Sequence, residues 1–500
     1  MSDARDLRVA AAGELAMRLP ARWLEEYAVL PLAIEDGAAL IAADGDLSPL
    51  VADALARAMG VAVRTIPFPA ADIRAALVSS PRGHGAADNG NDPLRGEAAE
   101  SLDDLRALAS REPVVQVVNA MLAEAVRAGA SDIHVESVES GLRIRLRLDG
   151  VLHDAQQLGR GFQAAVISRL KVLAGLDIAE RRLPQDGRTR VRVGARELDI
   201  RVSTLPALHG ESLVLRLLDG GGGTETRRLS ELGMAPALLD QIRRMLARSS
   251  GLVLVTGPTG SGKTTTLYAA LAERSTPGVK VVTVEDPVEY RLDGVVQLPV
   301  NTKAGFGFAN ALRAILRHDP DVILVGEMRD AETAEIAVQA ALTGHLVLST
   351  LHTTDATGAL PRLVEMGVAP YLLAATLHGV LAQRLVRTVC ETCATWRAPT
   401  SDERALLGAS FEHITRVRAG DGCAECAGTG YRGRAAISEL IALDEAMRAE
   451  FVAGASLEAM RSAARARGVA SLREDGWRLV AEGRTTVAEV ARVVSEDEAP

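Results

Sequence analysis

The sequence predicts an α/β protein: a C-terminal parallel sheet covered by helices on both faces, preceded by two smaller α+β units. Three observations carry this. Short apolar runs without alternation recur at 252–255, 281–284, 322–325 and 346–348, separated by longer helical stretches, as in strands buried on both faces. The first run leads directly into a glycine-rich loop and then a helix. Upstream, Leu142, Ile144, Leu146 and Leu148 alternate with Arg143, Arg145 and Arg147, the period of a half-buried strand.

Five hundred residues fit about three domains. With 48% hydrophobic and 24% charged residues, the composition is that of an ordinary globular protein. The 56 basic and 65 acidic side chains leave a net charge of −9, which argues against electrostatic coating of nucleic acid. Six Phe, three Trp and five Tyr are too few for a base-stacking platform. No basic start followed by an apolar run marks a signal peptide, and no run approaches 18 apolar residues. The expectation is a cytosolic chain with reduced thiols.

In chain order, residues 1–80 read as a small α+β docking unit, with strands near 40–41 and 61–63 and a helix at 50–59. Residues 81–96 hold four Gly and two Pro and read as a flexible linker; for this segment and the glycine joint at 219–223 the alternative is a plain surface loop. Within 97–218, Val114, Val117, Val118, Met121, Leu122 and Ala125 recur at helical spacing. Asp149-Gly150 supplies a two-residue hairpin turn, and a second strand pair meets around Gly194-Ala195. The arginine row reads as a solvated strand face. Residues 219–226, beginning DGGGG, suit a hinge between rigid bodies. The core then runs over 227–500.

Gly257, Pro258, Thr259, Gly260, Ser261, Gly262, Lys263 and Thr264 form a complete phosphate-binding loop in the context it requires, after a strand and before a helix. Its backbone N–H groups converge on phosphate oxygens, and the helix N-terminus adds a positive end. Lys263 would reach the β- and γ-phosphates, and Thr264, beside Thr265, would hold Mg²⁺ through its hydroxyl. The ligands expected from the loop are therefore a nucleoside triphosphate and Mg²⁺.

The run 322–325 delivers Glu327 at a strand's C-terminal end, where α/β ligands bind. Gly326 stands where an Asp is often found, so Glu327 is better suited to positioning water or metal than to direct ligation. The run 281–284 ends in Glu285-Asp286, a second carboxylate pair; either acidic cluster alone could be structural. His345 and His352 flank the run 346–348, and an imidazole there can sense a γ-phosphate.

The order GPTGSGKTTT, TVEDPVEY, DPDVILVGEMRD and GHLVLSTLHTTDA resembles the secretion ATPase superfamily, with GASDIHVE, LPQDGR and LDIRVSTLPALHGESLVLRLL upstream and QRLVR downstream. Within it the chain most resembles the type II secretion assembly ATPases, the GspE family; the pilus-extending PilB proteins are the alternative, and retraction ATPases lack the cysteine insert. The resemblance implies a RecA-like core, a PAS-like second unit and a homo-hexamer, with ATP as the nucleotide between the two. It implies catalytic roles for Arg201 and Arg216 and nucleotide contacts from Arg313, Arg317 and Arg329, each of which, from sequence alone, could be a surface residue. It also implies pseudopilus assembly for protein export. Recruitment to the cytoplasmic face of the inner membrane would follow from the N-terminal unit binding the cytoplasmic part of a platform protein resembling GspL. A DNA-translocating motor would share the loop and Glu327, but the charge balance and scarce aromatics argue against it.

Cys390-x-x-Cys393 and Cys423-x-x-Cys426, separated by 29 residues, read as two knuckles of one closed tetrahedral Zn²⁺ site in an insert at about 388–434 with its own helix. A reduced, metal-free thiol cluster is the alternative.

Overall fold

The computed structural model describes residues 27–78 except 36, 46 and 48, residues 109–219 except 195, residues 227–494 except 302 and 303, and residues 10, 15, 16, 19, 23 and 24. The linker expected at 81–96 and the hinge from residue 220 to 226 lie outside the described residues. No helix among the described residues is long and apolar enough to cross a membrane.

Near the N-terminus, β1 (Leu30–Glu35) and β2 (Ala38–Ala43) pair antiparallel, and β3 (Ala62–Pro67) adds parallel to β2 after α1 (Pro49–Met59). Helix α2 (Ala70–Val78) follows. The sequence reading caught β2, β3 and α1 but not β1. Pro31 removes a donor from β1 and the register shifts beside it, which is tolerated because β1 is an edge strand.

Next come α3 (Glu112–Ala128), β4 (Asp132–Val138), β5 (Gly141–Leu148), β6 (Val151–Gly159), α4 (Arg160–Leu173), β7 (Gln185–Val193), β8 (Arg196–Ala207) and β9 (Gly210–Asp219). The strands form one antiparallel sheet ordered β6-β5-β4-β9-β8-β7. Pro113 opens α3, where a missing N–H costs nothing, and the helix buries Val114, Val117, Val118, Met121, Leu122 and Ala125, the stripe its spacing predicted. Asp149 and Gly150 both take positive φ, 47° and 89°, as the two-residue turn between β5 and β6 demands. The arginine row is not simply solvated. The register of β4 sets Glu136 opposite Arg143 and Asp132 opposite Arg147, so Arg143 and Arg145 pair with Glu136 and Arg147 approaches Asp132.

The core comprises α5 (Pro236–Leu246), β10 (Gly251–Thr256), α6 (Lys263–Arg274), β11 (Val281–Glu285), β12 (Val295–Pro299), α7 (Phe308–Ile315), β13 (Val322–Val325), α8 (Ala331–Leu342), β14 (Leu346–Leu351), α9 (Ala359–Glu365) and α10 (Pro370–Thr376). It continues with β15 (Leu377–Val389), β16 (Ala394–Arg397), α11 (Ser401–Leu407), β17 (Val417–Gly420) and β18 (Tyr431–Ala442). Helices α12 (Glu445–Val452), α13 (Leu457–Ala466), α14 (Leu472–Ala481) and α15 (Val487–Val494) close it. The sheet order is β12-β11-β13-β14-β10-β15-β18, parallel except for β18 against β15. Leu252 and Leu254 join the apolar cluster on one face of the sheet, whereas Val253 and Val255 join the cluster on the other. That two-sided burial explains the unalternating runs. Because β13, β14 and β10 are adjacent and parallel, their C-terminal ends deliver three loops to one edge.

Candidate active site

The phosphate-binding loop leaves β10 at Thr256 and enters α6 at Lys263. Gly257, Gly260 and Gly262 take φ of 146°, 80° and 86°, a backbone that L side chains rarely adopt. At Gly257 the space is also closed, since a Cβ would lie 2.4 Å from the Gln383 carbonyl oxygen. The free N–H groups of the first turn of α6 and its dipole face the same hollow. Lys263 Nζ donates to the Gly257 and Pro258 carbonyls at 2.7 and 3.0 Å. Burial lowers its pKa to about 8, opposed by the charge of Glu327. Thr264 is exposed on the first turn and Thr265 half-buried, while Thr266 turns inward. Ser261 Oγ is buried with no hydrogen-bond partner, a polar atom held ready beside the loop.

The loop has a support that sequence reasoning missed. Gln383 on β15 is buried, donates through Nε2 to the Ser261 carbonyl at 2.8 Å and accepts from Thr266 Oγ1 at 2.7 Å. The only sequence signal is its place in QRLVR, far from the loop in the chain.

Glu327 follows β13, with the Gly326 N–H donating to the Val284 carbonyl. Its Oε1 accepts from Arg329 Nη2 at 2.6 Å, and its Oε2 lies 3.6 Å from His352 Nε2, just past β14. Burial, then the charge of Lys263, lowers the His352 pKa below its ordinary 6.5, which keeps the ring neutral at neutral pH. Lys263, Glu327, Arg329 and His352 therefore converge at the ends of β10, β13 and β14.

Two predicted residues lie elsewhere. Glu285 shares a strand face with Val281 and Thr283, toward α6, and is buried there. It accepts from Tyr268 Oη, from Thr283 Oγ1 at 2.6 Å and from Gln297 Nε2 at 3.1 Å, and no described hydrogen bond or ion pair joins it to Lys263 or Glu327. The period-2 alternation of β11 turns its side chain toward α6, where these bonds hold it apart from the Glu327 carboxylate. His345 precedes β14, and its carbonyl accepts from the Gly251 N–H at the start of β10. Six strand residues separate it from the loop edge, about 20 Å, and its Nδ1 rests 3.0 Å from the Ala340 carbonyl. Within this chain His345 thus sits at the sheet edge opposite the phosphate-binding loop, because the two ends of a strand lie at opposite edges.

Among the other arginines, Arg313 on α7 pairs with Glu332 at 2.5 Å, and Arg317 bonds the Arg313 carbonyl at 3.0 Å. Arg201 and Arg216 are cross-strand neighbours on β8 and β9, and Arg216 pairs with Asp132 at 3.0 Å. No described contact ties any of these four to the phosphate-binding loop.

The four cysteines do meet. Their sulfurs all lie within 4.8 Å of one another, with Cys390–Cys423 at 3.8 Å, Cys393–Cys426 at 3.9 Å and Cys423–Cys426 at 3.8 Å. The group could hold a metal ion. Burial works against the Cys426 thiolate, but the Cys423 and Gly430 N–H groups, each 3.2 Å from its sulfur, bring the pKa down to about 6. Helix α11 and the β16–β17 hairpin fill the span between the knuckles, as its length predicted.

Residues 107–492 match the family model described as type II/IV secretion system protein, and residues 3–86 match the MshEN domain. The type II secretion system protein E of Pseudomonas aeruginosa is 50% identical over 395 residues, 79% of this chain and 78% of that protein. The type II secretion system ATPase E of Vibrio cholerae is 48% identical over 405 residues, 81% of this chain and 78% of that protein. The structure of the Legionella pneumophila ATPase DotB superposes with a TM-score of 0.57 at 23% identity, covering 75% of this chain and 95% of that one, which is a likeness of fold. With a RecA-like core, a complete phosphate-binding loop and matches of this extent, the chain belongs to the type II/IV secretion system protein family.

Proposed function

We propose that the chain hydrolyses ATP to ADP and phosphate and uses the energy to assemble a pseudopilus and drive protein export by type II secretion. The observation that carries this is the convergence of Lys263, Glu327, Arg329 and His352 at one sheet edge beside the loop. Lys263 would exchange the Gly257 and Pro258 carbonyls for β- and γ-phosphate oxygens. Glu327 would orient the attacking water, Arg329 would fix that carboxylate, and the neutral His352 would contact the γ-phosphate side. Mg²⁺, taken through the exposed Thr264 hydroxyl, would neutralise charge on the phosphates. Arg201, Arg216, Arg313 and Arg317 would act across subunits of a homo-hexamer.

The reading extends to the whole chain. Residues 1–80 would dock on the cytoplasmic part of an inner-membrane platform protein, with 81–96 as tether, which makes the ATPase peripheral on the cytoplasmic face. Residues 97–218 would swing about 219–226 against the core at 227–500. Thiolates tetrahedral about Zn²⁺ sit about 3.8 Å apart, and the sulfur separations here support zinc as a structural ion of the 388–434 insert.

Phosphate release by the full-length chain with Mg²⁺ and ATP, and export of folded proteins in cells carrying Lys263→Ala, test the proposal. No phosphate release, or export that survives Lys263→Ala, would sink it.

A further inference from the structure

The loop after β14 carries His352 at its start and is fastened to four separate elements, one of them β15, where Arg384 Nη2 donates to the Thr354 carbonyl at 3.2 Å. Thr353 N–H donates to Thr256 Oγ1 at 2.9 Å, and the two hydroxyls lie 2.7 Å apart, which ties the loop to the residue preceding the phosphate-binding loop. Asp355 Oδ1 accepts the Gly358 N–H at 2.6 Å and so closes the turn into α9. Its Oδ2 accepts from Arg461 Nε and Nη2, on α13, at 3.1 and 2.5 Å, across 106 residues of chain. The Ala356 N–H donates to Glu439 Oε1 on β18 at 3.3 Å.

The geometry has a direct mechanical reading. Thr256 fixes one side of the loop relative to the phosphate-binding loop, and Arg461 fixes the other relative to the C-terminal helices. His352 itself lies between the end of β14 at Leu351 and the Thr353 tether, so both anchors hold the loop on the C-terminal side of His352 and limit how its backbone meets Glu327. An arginine using two nitrogens on one carboxylate oxygen restrains both distance and direction, which a lysine does less well. Such fine placement matters because a shift of about 1 Å in a catalytic group can cost about a hundredfold in rate.

We propose that Asp355, held by Arg461, is a positioning residue that sets the His352 loop against Glu327 and thereby makes turnover depend on the C-terminal helix α13. The inference rests on the proposed ATP hydrolysis. Neither residue touches the nucleotide site, so their loss is expected to slow turnover and leave nucleotide affinity intact.

The test uses full-length Arg461→Ala, Asp355→Asn and Arg461→Lys with Mg²⁺ and ATP. The first two are expected to lose about tenfold in kcat with KM for ATP within about twofold of wild type. Arg461→Lys is expected to recover part of the loss, and the double variant to be no worse than the poorer single one. Hydrogen exchange gives a readout that needs no turnover: the Thr353, Ala356 and Gly358 amides should exchange faster in Arg461→Ala, while β10 and α6 keep wild-type rates. A kcat within about twofold of wild type in both variants, or faster exchange spread over the whole core, overturns the inference. If the wild-type chain releases no phosphate, the proposed function fails, and the exchange pattern still decides whether Arg461 holds the loop.

Discussion

Arg329 Nη2 sits 2.6 Å from Glu327 Oε1, so the carboxylate best placed to orient water is held by a guanidinium on one oxygen and faces His352 with the other. A carboxylate fixed in this way is pre-aimed, and its charge opposes the loss of charge on Lys263 next door. Glu327→Gln keeps the shape and removes the charge. Turnover should fall at least a hundredfold, in the range about 10² to 10⁴ for loss of a positioned base, with affinity for a fluorescent ATP analogue changed less than about threefold. Steady-state phosphate release and a binding titration check both, and unchanged turnover would remove Glu327 from the chemistry.

His352 gives a pH signature. Burial and the Lys263 charge hold its pKa below 6.5, so it enters the neutral range uncharged and gains a proton only in acid. Activity of the wild type should be level from about pH 7 to 8 and fall below about 6.5. His352→Gln should be slower throughout and lack that acid limb. An acid limb that persists unchanged in His352→Gln would mean that the imidazole is not read by the reaction.

Much of this site was legible in the sequence because its signals are local. The phosphate-binding loop is contiguous, the runs at 322–325 and 346–348 coincide with or lie within β13 and β14, and the six buried positions of α3 follow from 3.6-residue spacing. Side-chain directions and sheet edges are what the sequence does not carry. Glu285 and Glu327 look alike as acids ending strands, yet the alternation along β11 sends Glu285 toward Tyr268. His345 and His352 look like a pair, yet β14 separates them by its full length. Gln383, Asp355 and Arg461 act through contacts between residues roughly a hundred positions apart, which no window on the sequence spans.

The cysteine cluster should behave as a folding element. Cys426 accepts two backbone N–H groups in addition to its place among the sulfurs, so Cys426→Ser removes a ligand and leaves those donors a poorer acceptor. Metal content of the purified protein should fall from about one equivalent to near zero, and strong chelation of the wild type should have the same effect. Thermal unfolding should shift down by several degrees in both cases, while nucleotide affinity is retained because Gln383 rather than the insert braces the loop. Metal analysis and differential scanning calorimetry decide it.

Lys171 and Glu211 form an ion pair in which both side chains are almost wholly buried, with Nζ 2.7 Å from Oε1 and a further bond to the Glu180 carbonyl at 2.6 Å. The pair joins α4 to the start of β9 and to the segment before β7. Lys171→Met strands a buried carboxylate and should cost about 3–5 kcal/mol. Lys171→Met with Glu211→Met removes both charges and should regain most of that loss. Urea unfolding of the three proteins measures it, and a double variant as unstable as the single would show that the pair does more than cancel its own burial.

Glu439 contributes to the pH dependence of the core. Burial, reinforced by the charge of Asp355 and only partly offset by the Ala356 and Leu472 N–H groups and by Arg461, raises its pKa from 4.5 to about 7. The folded chain therefore keeps a proton that the unfolded chain releases between those values. The contribution is complete below pH 4.5 and is lost as pH rises through 7, so Glu439 favours the folded state in acid relative to base. A shift of that size corresponds to at most about 3 kcal/mol, and Arg461, which also faces the Asp355 carboxylate, keeps the charged form tolerable. Glu439→Gln retains an oxygen for the Ala356 N–H and carries no titratable proton. Its stability relative to wild type should rise between pH 5 and pH 8 by an amount approaching that ceiling, as read from denaturant midpoints at constant ionic strength. Parallel pH slopes for the two proteins would mean that Glu439 is charged throughout, with Arg461 as its effective counter-ion.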